Sequence, residues 1–337
     1  MRMRQTVVHH TRGTAHFTRR DGGERTDFCA TGSPILLQAV LESNTFRDFV
    51  LLCYKIIRIL FAKEAERPPV RRLPRRKQQE STGGDMIDFA GARVVVTGAG
   101  GGVGTALVET LRDCNARVVA CDRPGADLTA PGIAEAHHFD LLDEDALHRT
   151  CAAICAKGAP AAVISNAGWT RAETLADITP ENLAAELDVN FRSAALLSRA
   201  LLPAMRNQPS GAAFVFVSSV NALAHYGNPA YSAAKAALHA WMRAIATEEG
   251  RNGIRANAVI PGSIKTDAWT HRLEENPEIL AAVTRLYPLA RLVEPNEVAR
   301  AIVFLASSWA SGITGATLRV DAGVSASNLP FLEQIAG

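Results

Sequence analysis

The chain has 337 residues, 47% hydrophobic and 21% charged, a composition that reads as a soluble globular protein with a sizeable core and excludes a fibrous or low-complexity chain. The formal net charge of +2 hides an asymmetry: residues 1–85 hold 16 Lys and Arg against 9 Asp and Glu, leaving 20 against 25 for residues 86–337. The basic excess sits in the leader, so the body offers no case for nucleic-acid binding.

Residues 1–85 read as a basic, largely disordered extension. Residues 1–35 mix Arg, His, Thr and Gly with no evident helical or strand period. In residues 46–61, Phe46, Phe49, Val50, Cys53, Ile56, Ile57 and Leu60 recur at helical spacing, with Arg47, Asp48, Lys55 and Arg58 on the other side. That pattern predicts an amphipathic helix too short to span a bilayer, able to dock on a membrane surface or a partner. A charged, Pro-interrupted linker follows, and the folded domain is expected to start at Met86. The apolar run comes too late for a secretory signal.

From Arg93 the pattern changes to strands alternating with helices. Arg93 to Thr97 reads as a buried strand, followed by Gly98, Gly102, Val103 and Gly104 in a glycine-rich turn and a helix to about Leu111. Arg117 to Cys121 is a second strand ending in Asp122, Ala136 to Phe139 a weaker third ending in Asp140, and Ala161 to Ile164 a fourth ending in Ser-Asn166-Ala-Gly168. A long helical region is expected from about Pro180 to Asn207, with Asn190 inside it. Phe214 to Val217 and Ile254 to Val259 read as the fifth and sixth strands, Pro295 to Ser307 as a helix and Ala316 to Val320 as the seventh strand. This alternation predicts an α/β fold, a Rossmann-type doubly wound seven-stranded parallel sheet in a single domain over 86–337. The six cysteines are scattered. Cys151 and Cys155 share a helix face without a second ligand pair, so no metal site is expected. Reduced, buried thiols point to a reducing, cytoplasmic setting.

Three stretches carry chemistry. The glycine-rich turn lets backbone approach a pyrophosphate at a helix N-terminus. Asp122 stands where a carboxylate accepts both ribose hydroxyls and repels a 2′-phosphate, which favours NAD over NADP; Arg123 beside it pulls the other way. Tyr231 and Lys235 lie four apart on a predicted helix and so share a face, while Ser218 and Ser219 end the fifth strand at the mouth of the sheet. A hydroxyl, a phenol and an ammonium at one site form a proton-transfer constellation.

Taken together, Thr97-Gly98-x-x-x-Gly102-Val103-Gly104, Asn166-Ala-Gly168, Asn190, Tyr231-x-x-x-Lys235 and Pro261-Gly262-x-Ile264-x-Thr266 resemble, in order, the motifs of the short-chain dehydrogenase/reductase family. Ile313-Thr-Gly315 and Val320-Asp321-Ala-Gly323 resemble its C-terminal ending, with Ala322 in place of a usual glycine. The resemblance covers Met86 to about Ser327 and leaves the leader outside. It implies Tyr231 as acid/base with a phenol pKa lowered by Lys235 and an oxidised nicotinamide. It implies Lys235 also on the nicotinamide ribose, Ser219 on the substrate oxygen, and Asn190 retaining a water that passes the proton on. Ser219 lies twelve residues before Tyr231, where the family more often has thirteen, a distance that fits Ser218; the Ser-Ser-Val pattern favours Ser219. By the same resemblance Asn166, Gly168 and the backbone near Asp140 meet the adenosine half of the cofactor, and Ile264 and Thr266 the carboxamide and phosphates.

The expectation is an NAD-dependent oxidoreductase of secondary alcohols and ketones, with a small polar substrate such as a sugar acid, polyol or hydroxy acid, and a homotetramer or homodimer. Asn221, His225, Tyr226, Trp169, Arg171, Trp269, His271 and Arg272 stand where substrate is framed. The rivals are an NADP-dependent 3-oxoacyl-thioester reductase and a non-catalytic dinucleotide sensor.

Overall fold

The computed structural model describes residues 6–11, 14–21, 24–30, 86–266, 278–326 and 328–336, and the chain divides into two compact units, Met1–Pro69 and Val70–Gly337. In the first unit, strands β1 (Thr6–Thr11), β2 (Thr14–Asp21) and β3 (Glu24–Ala30) form an antiparallel meander. This corrects the reading of residues 1–35 as lacking strand structure. The β-branched run Thr6-Val7-Val8 favours extended backbone, and the strands pair in register with Thr11 opposite Thr14 and Asp21 opposite Glu24. The amphipathic segment 46–61 lies outside the described residues.

The second unit is built on a seven-stranded parallel sheet, in the order β10-β9-β8-β7-β4-β5-β6. Its strands are β4 (Arg93–Thr97), β5 (Arg117–Asp122), β6 (Ile133–His138), β7 (Ala162–Ser165), β8 (Ala212–Val217), β9 (Ile254–Pro261) and β10 (Thr317–Val320). Alternate side chains of one strand enter different cores. Val94 and Val96 pack with Leu107 and Leu111 of α1 (Gly102–Asp113), while Val95 packs in a second core with Leu147 and Ile154 of α2 (Glu144–Ala156). Both faces are thereby covered, which is why the central strands read as unbroken apolar runs. Cys121 and Cys151 are buried in the second core as free thiols, and burial pushes both thiols up, out of the reactive range.

Two boundaries differ from the sequence reading. The third strand of the sheet, β6, begins at Ile133, because this edge strand alternates half-buried and exposed positions and so has no apolar run to mark it. The long helical region is present, ends at Met205 and not Asn207, and contains a π turn. α3 (Pro180–Leu187) passes through a π turn at Asp188–Arg192 into α4 (Ser193–Met205). There Ser193 N–H donates to Asp188 O, five residues back, and the Asn190 amide donates to Glu186 O. An asparagine side chain has taken a carbonyl that an α-helix assigns to backbone.

Asn257, fully buried on β9, ties the strand to the approach to β10: its Nδ2 donates to Ile313 O at 2.9 Å and its Oδ1 accepts from Ala316 N at 3.0 Å. Asn257→Ala leaves the half-buried Ala316 N without this acceptor and Ile313 O with only Arg255 Nη1 at 3.4 Å, and is expected to cost roughly 1–3 kcal/mol. Urea unfolding checks this; a loss below about 1 kcal/mol means the clamp is not needed.

Candidate active site

The C-terminal ends of β4, β7, β8 and β9 stand side by side, Thr97 opposite Ser165, Ser165 opposite Phe216 and Val217 opposite Val259. β4 and β7 are neighbours although β5 and β6 come between them in sequence, so the sheet's order reverses there and a crevice opens above their ends. A cleft of about 300 Å³ lies at this edge. Val103, Asn166, Gly168, Ser219, Tyr231 and Lys235 line it, with Pro261, Gly262, Ile264 and Thr266 forming the opposite wall. The sequence motifs thus converge on one site.

Three of the predicted glycines lie beside this cleft and shape its floor. Gly104 is the tightest: a Cβ there would lie 2.0 Å from Gly98 O and 2.7 Å from Ala99 C, so the loop doubles back directly onto the first turn of α1. A Cβ on Gly102 would meet the Thr266 methyl at 2.8 Å. Thr97, quoted only as part of a motif, has a structural task. Its Oγ1 accepts from Asn166 N and Ala167 N, both at 3.1 Å, while Asn166 Nδ2 donates to Thr97 O and Gly98 O. The Asn-Ala-Gly turn is thereby locked onto the glycine loop. Asp122 closes the loop's far side, accepting from Gly100 N and Arg123 N, each at 2.8 Å. Asp140 is exposed at the rim, its carboxylate turned to Leu142 N.

Tyr231 and Lys235 sit on α5 (Pro229–Glu249), which Asn228 begins in the left-handed region and Pro229 follows at the first turn. Lys235 Nζ lies 5.4 Å from the Tyr231 ring centroid and donates to Val217 O at 3.0 Å. Burial is the largest influence on both groups. It pushes the Tyr231 phenol up to about 12 against a lowering hydrogen bond with Ser219, and pulls the Lys235 ammonium down to about 8 against the raising charge of Glu186. In the chain alone burial is the larger influence, and the lowering that the resemblance assigns to Lys235 together with an oxidised nicotinamide belongs to the cofactor-bound site. A phenolate out of water costs more than a lysine at this distance returns.

Both serines line the cleft with Tyr231; Ser219 is the one that favours the phenolate, and its Oγ donates to Asn221 Oδ1 at 3.1 Å. Ser218 Oγ is buried without a partner. Asn190 does not line the cleft. Its Nδ2 donates to Trp169 O, Glu186 O and Glu186 Oε2, and its Oδ1 accepts from Trp169 N. The side chain clamps the turn after β7. Glu186, the carboxylate in that clamp, was not singled out from sequence; nothing in Leu-Ala-Ala-Glu186-Leu marks a buried acid. Trp269, His271 and Arg272 lie outside the described residues.

Residues 98–325 match the family profile described as Enoyl-(Acyl carrier protein) reductase. An uncharacterised oxidoreductase of Schizosaccharomyces pombe is 34% identical over 250 residues, 73% of this chain and 95% of that one. The chain belongs to the short-chain dehydrogenase/reductase family. It is therefore an NAD(P)-dependent oxidoreductase. Another relative is the D-erythrulose reductase of Gallus gallus, 34% identical over 243 residues, 70% of this chain and 97% of that protein. In structure, a family oxidoreductase from Burkholderia thailandensis superposes with a TM-score of 0.68 at 36% identity, covering 73% of this chain and 97% of the other. The similarity in each case leaves out about a quarter of this chain.

Proposed function

We propose that this enzyme interconverts a secondary alcohol and the matching ketone on a small polyhydroxylated substrate, using NAD(H). One observation carries the chemistry: Ser219, Tyr231 and Lys235 line the same cleft, with Lys235 Nζ 5.4 Å from the centre of the phenol ring. In the reducing direction the neutral phenol of Tyr231 gives its proton to the substrate carbonyl oxygen while Ser219 holds that oxygen in line. Lys235 places a positive charge near the phenol oxygen as it becomes negative. The residues present fit a dinucleotide: Gly104 has no room for a side chain, and the glycine loop leads into the N-terminus of α1. When bound, the nicotinamide supplies or accepts the hydride. Asn166, Gly168, Val103 and Thr266 are assigned to hold it, with Asp122 at the adenosine ribose.

The polyol class draws support from the chicken relative and from the hydroxyls of Thr170, Ser218 and Ser219 along the cleft. Purified protein is expected to oxidise NADH in the presence of D-erythrulose. Turnover instead with NADPH and an acetoacetyl thioester would favour a second reading, acyl-thioester reduction, which the description of the family profile supports.

Asp122 tests the cofactor choice separately. A carboxylate at the ribose repels a 2′-phosphate, so NADH is expected to outperform NADPH in kcat/KM. Asp122→Ser should narrow the ratio by about tenfold or more, a change on the order of 1.4 kcal/mol. An unchanged ratio would remove Asp122 from the ribose and with it the case for NAD.

A further inference from the structure

Lys235 is an ammonium almost wholly inside the protein, and Val217 O is its hydrogen-bond partner. Among the described residues, no carboxylate lies within ion-pair distance of it, although a buried cation ordinarily needs one. Other buried charged side chains of the body are directly served. Glu249 is bidentate with Arg206, and Asp321 accepts from Gly323 N and Ser325 N. Glu186, on α3 and 1% exposed, has no cation on its carboxylate among the described residues; its oxygens accept from Arg171 N at 2.9 Å and Asn190 Nδ2 at 2.8 Å. Asn190 stands between the two charges: its Nδ2 contacts Glu186, and its Oδ1 borders Gly168, where a Cβ would lie 3.0 Å from Asn190 Oδ1 and 3.3 Å from Lys235 Nζ.

We propose that Glu186 is a positioning residue of this site, the buried counter-charge that keeps Lys235 protonated and fixes which way the Asn190 amide points. The inference rests on the assignment of Tyr231 and Lys235 made above. The orientation argument is one of donors and acceptors. Glu186 as a carboxylate can only accept, so Asn190 must turn Nδ2 toward it and leave Oδ1 on the Gly168 side, toward the ammonium. The charge argument concerns the groups around it. Lys235 and Tyr231 face Glu186 from α5, Arg171 and Glu173 from the segment after β7, and His239 stands one turn beyond Lys235. Glu186 raises the ammonium's affinity for its proton, and its own carboxyl is raised, first by burial and then by Glu173, against the Arg171 N–H and the Thr170 hydroxyl.

The test is the pH dependence of NADH binding, followed by nucleotide fluorescence from about pH 6 to about pH 10, with NADPH offered in parallel. It runs on the full chain and on Glu186→Gln, with D-erythrulose turnover measured beside it. Glu186→Met, of similar length and without charge, serves where the glutamine variant does not fold. Binding and kcat in the wild type should weaken on the alkaline side as Lys235 loses its proton. In either variant that limb should move to lower pH by about one unit, a tenfold change at fixed pH, while KM for D-erythrulose stays within about threefold. A merely structural role would lower binding and kcat by one factor at every pH and leave the limb in place; that result overturns the proposal. Tyr231→Phe separates the two readings. Full turnover in that variant sinks the site assignment itself, whereas an inactive Tyr231→Phe with an unmoved limb in the Glu186 variants sinks only the role of Glu186. Wild type that binds NADH but ignores D-erythrulose discards the substrate, and the binding limb still decides on Glu186.

Discussion

Tyr231→Phe is expected to lower kcat by about a thousandfold, within the range of about 10² to 10⁴ that a positioned acid or base supplies. The substitution removes one oxygen and leaves the ring, which lies on α5 between the cleft and the helix core. What the fold loses is one hydroxyl on the cleft, at a cost of about 1 kcal/mol at most, so the variant should stay folded and should bind NADH within about threefold of wild type. The direction of the pKa adds a second readout. With the phenol held up to about 12 by burial, the neutral acid is the form present at pH 7. Ketone reduction, which consumes that proton, should be nearly flat across neutral pH. Alcohol oxidation needs the phenolate and should climb as pH rises. Stopped-flow absorbance of the nicotinamide measures both directions. If Tyr231→Phe keeps more than about a tenth of the wild-type rate, the proton comes from elsewhere and the assignment fails.

How much of this was legible in the sequence follows from what kind of physics each feature obeys. The central strands could be read because both faces are buried, which forces the runs Val94-Val95-Val96 and Phe214-Val215-Phe216 to be apolar throughout. β6 could not be placed as well, since an edge strand is half exposed and its sequence Ile-Ala-Glu-Ala-His-His has no such constraint. The glycine loop was legible for a steric reason, because only a residue without Cβ fits 2.0 Å from Gly98 O. The Tyr231–Lys235 pair followed from helical periodicity alone. What escaped is three-dimensional electrostatics. How strongly burial acts on the phenol depends on how deeply the start of α5 is covered. That Asn190 spends its amide on Trp169 and Glu186 depends on a π turn no helical pattern announces. Glu186 was invisible because an acid on an alanine-rich helix ordinarily faces water, and its burial comes from the turn after β7 folding over it.

Lys235→Met should separate stability from activity. In the folded chain the ammonium titrates at about 8, against the ordinary lysine value of 10.5. The unfolded chain therefore holds the proton more tightly, and at pH 7 this buried lysine destabilises the fold, by on the order of 3 kcal/mol. The sign fixes the pH window: the penalty is full below about 8 and fades as pH rises toward 10.5, so wild-type stability should increase across that interval. Methionine matches the length of the side chain, carries no charge and removes the penalty. Against that, Val217 O loses its donor, at about 1–3 kcal/mol. The net expectation is a variant at least as stable as wild type at pH 7, with a flatter stability profile above about pH 8. Its kcat should fall by about a hundredfold or more, because no cation remains beside the Tyr231 phenol when its oxygen turns negative. Urea unfolding at several pH values and nicotinamide absorbance give the two numbers. A variant that is both less stable by several kcal/mol and inactive would mean Lys235 is held for the fold. Stability kept with activity lost means that the fold tolerates a buried charge it does not need, for the sake of the chemistry at the end of α5.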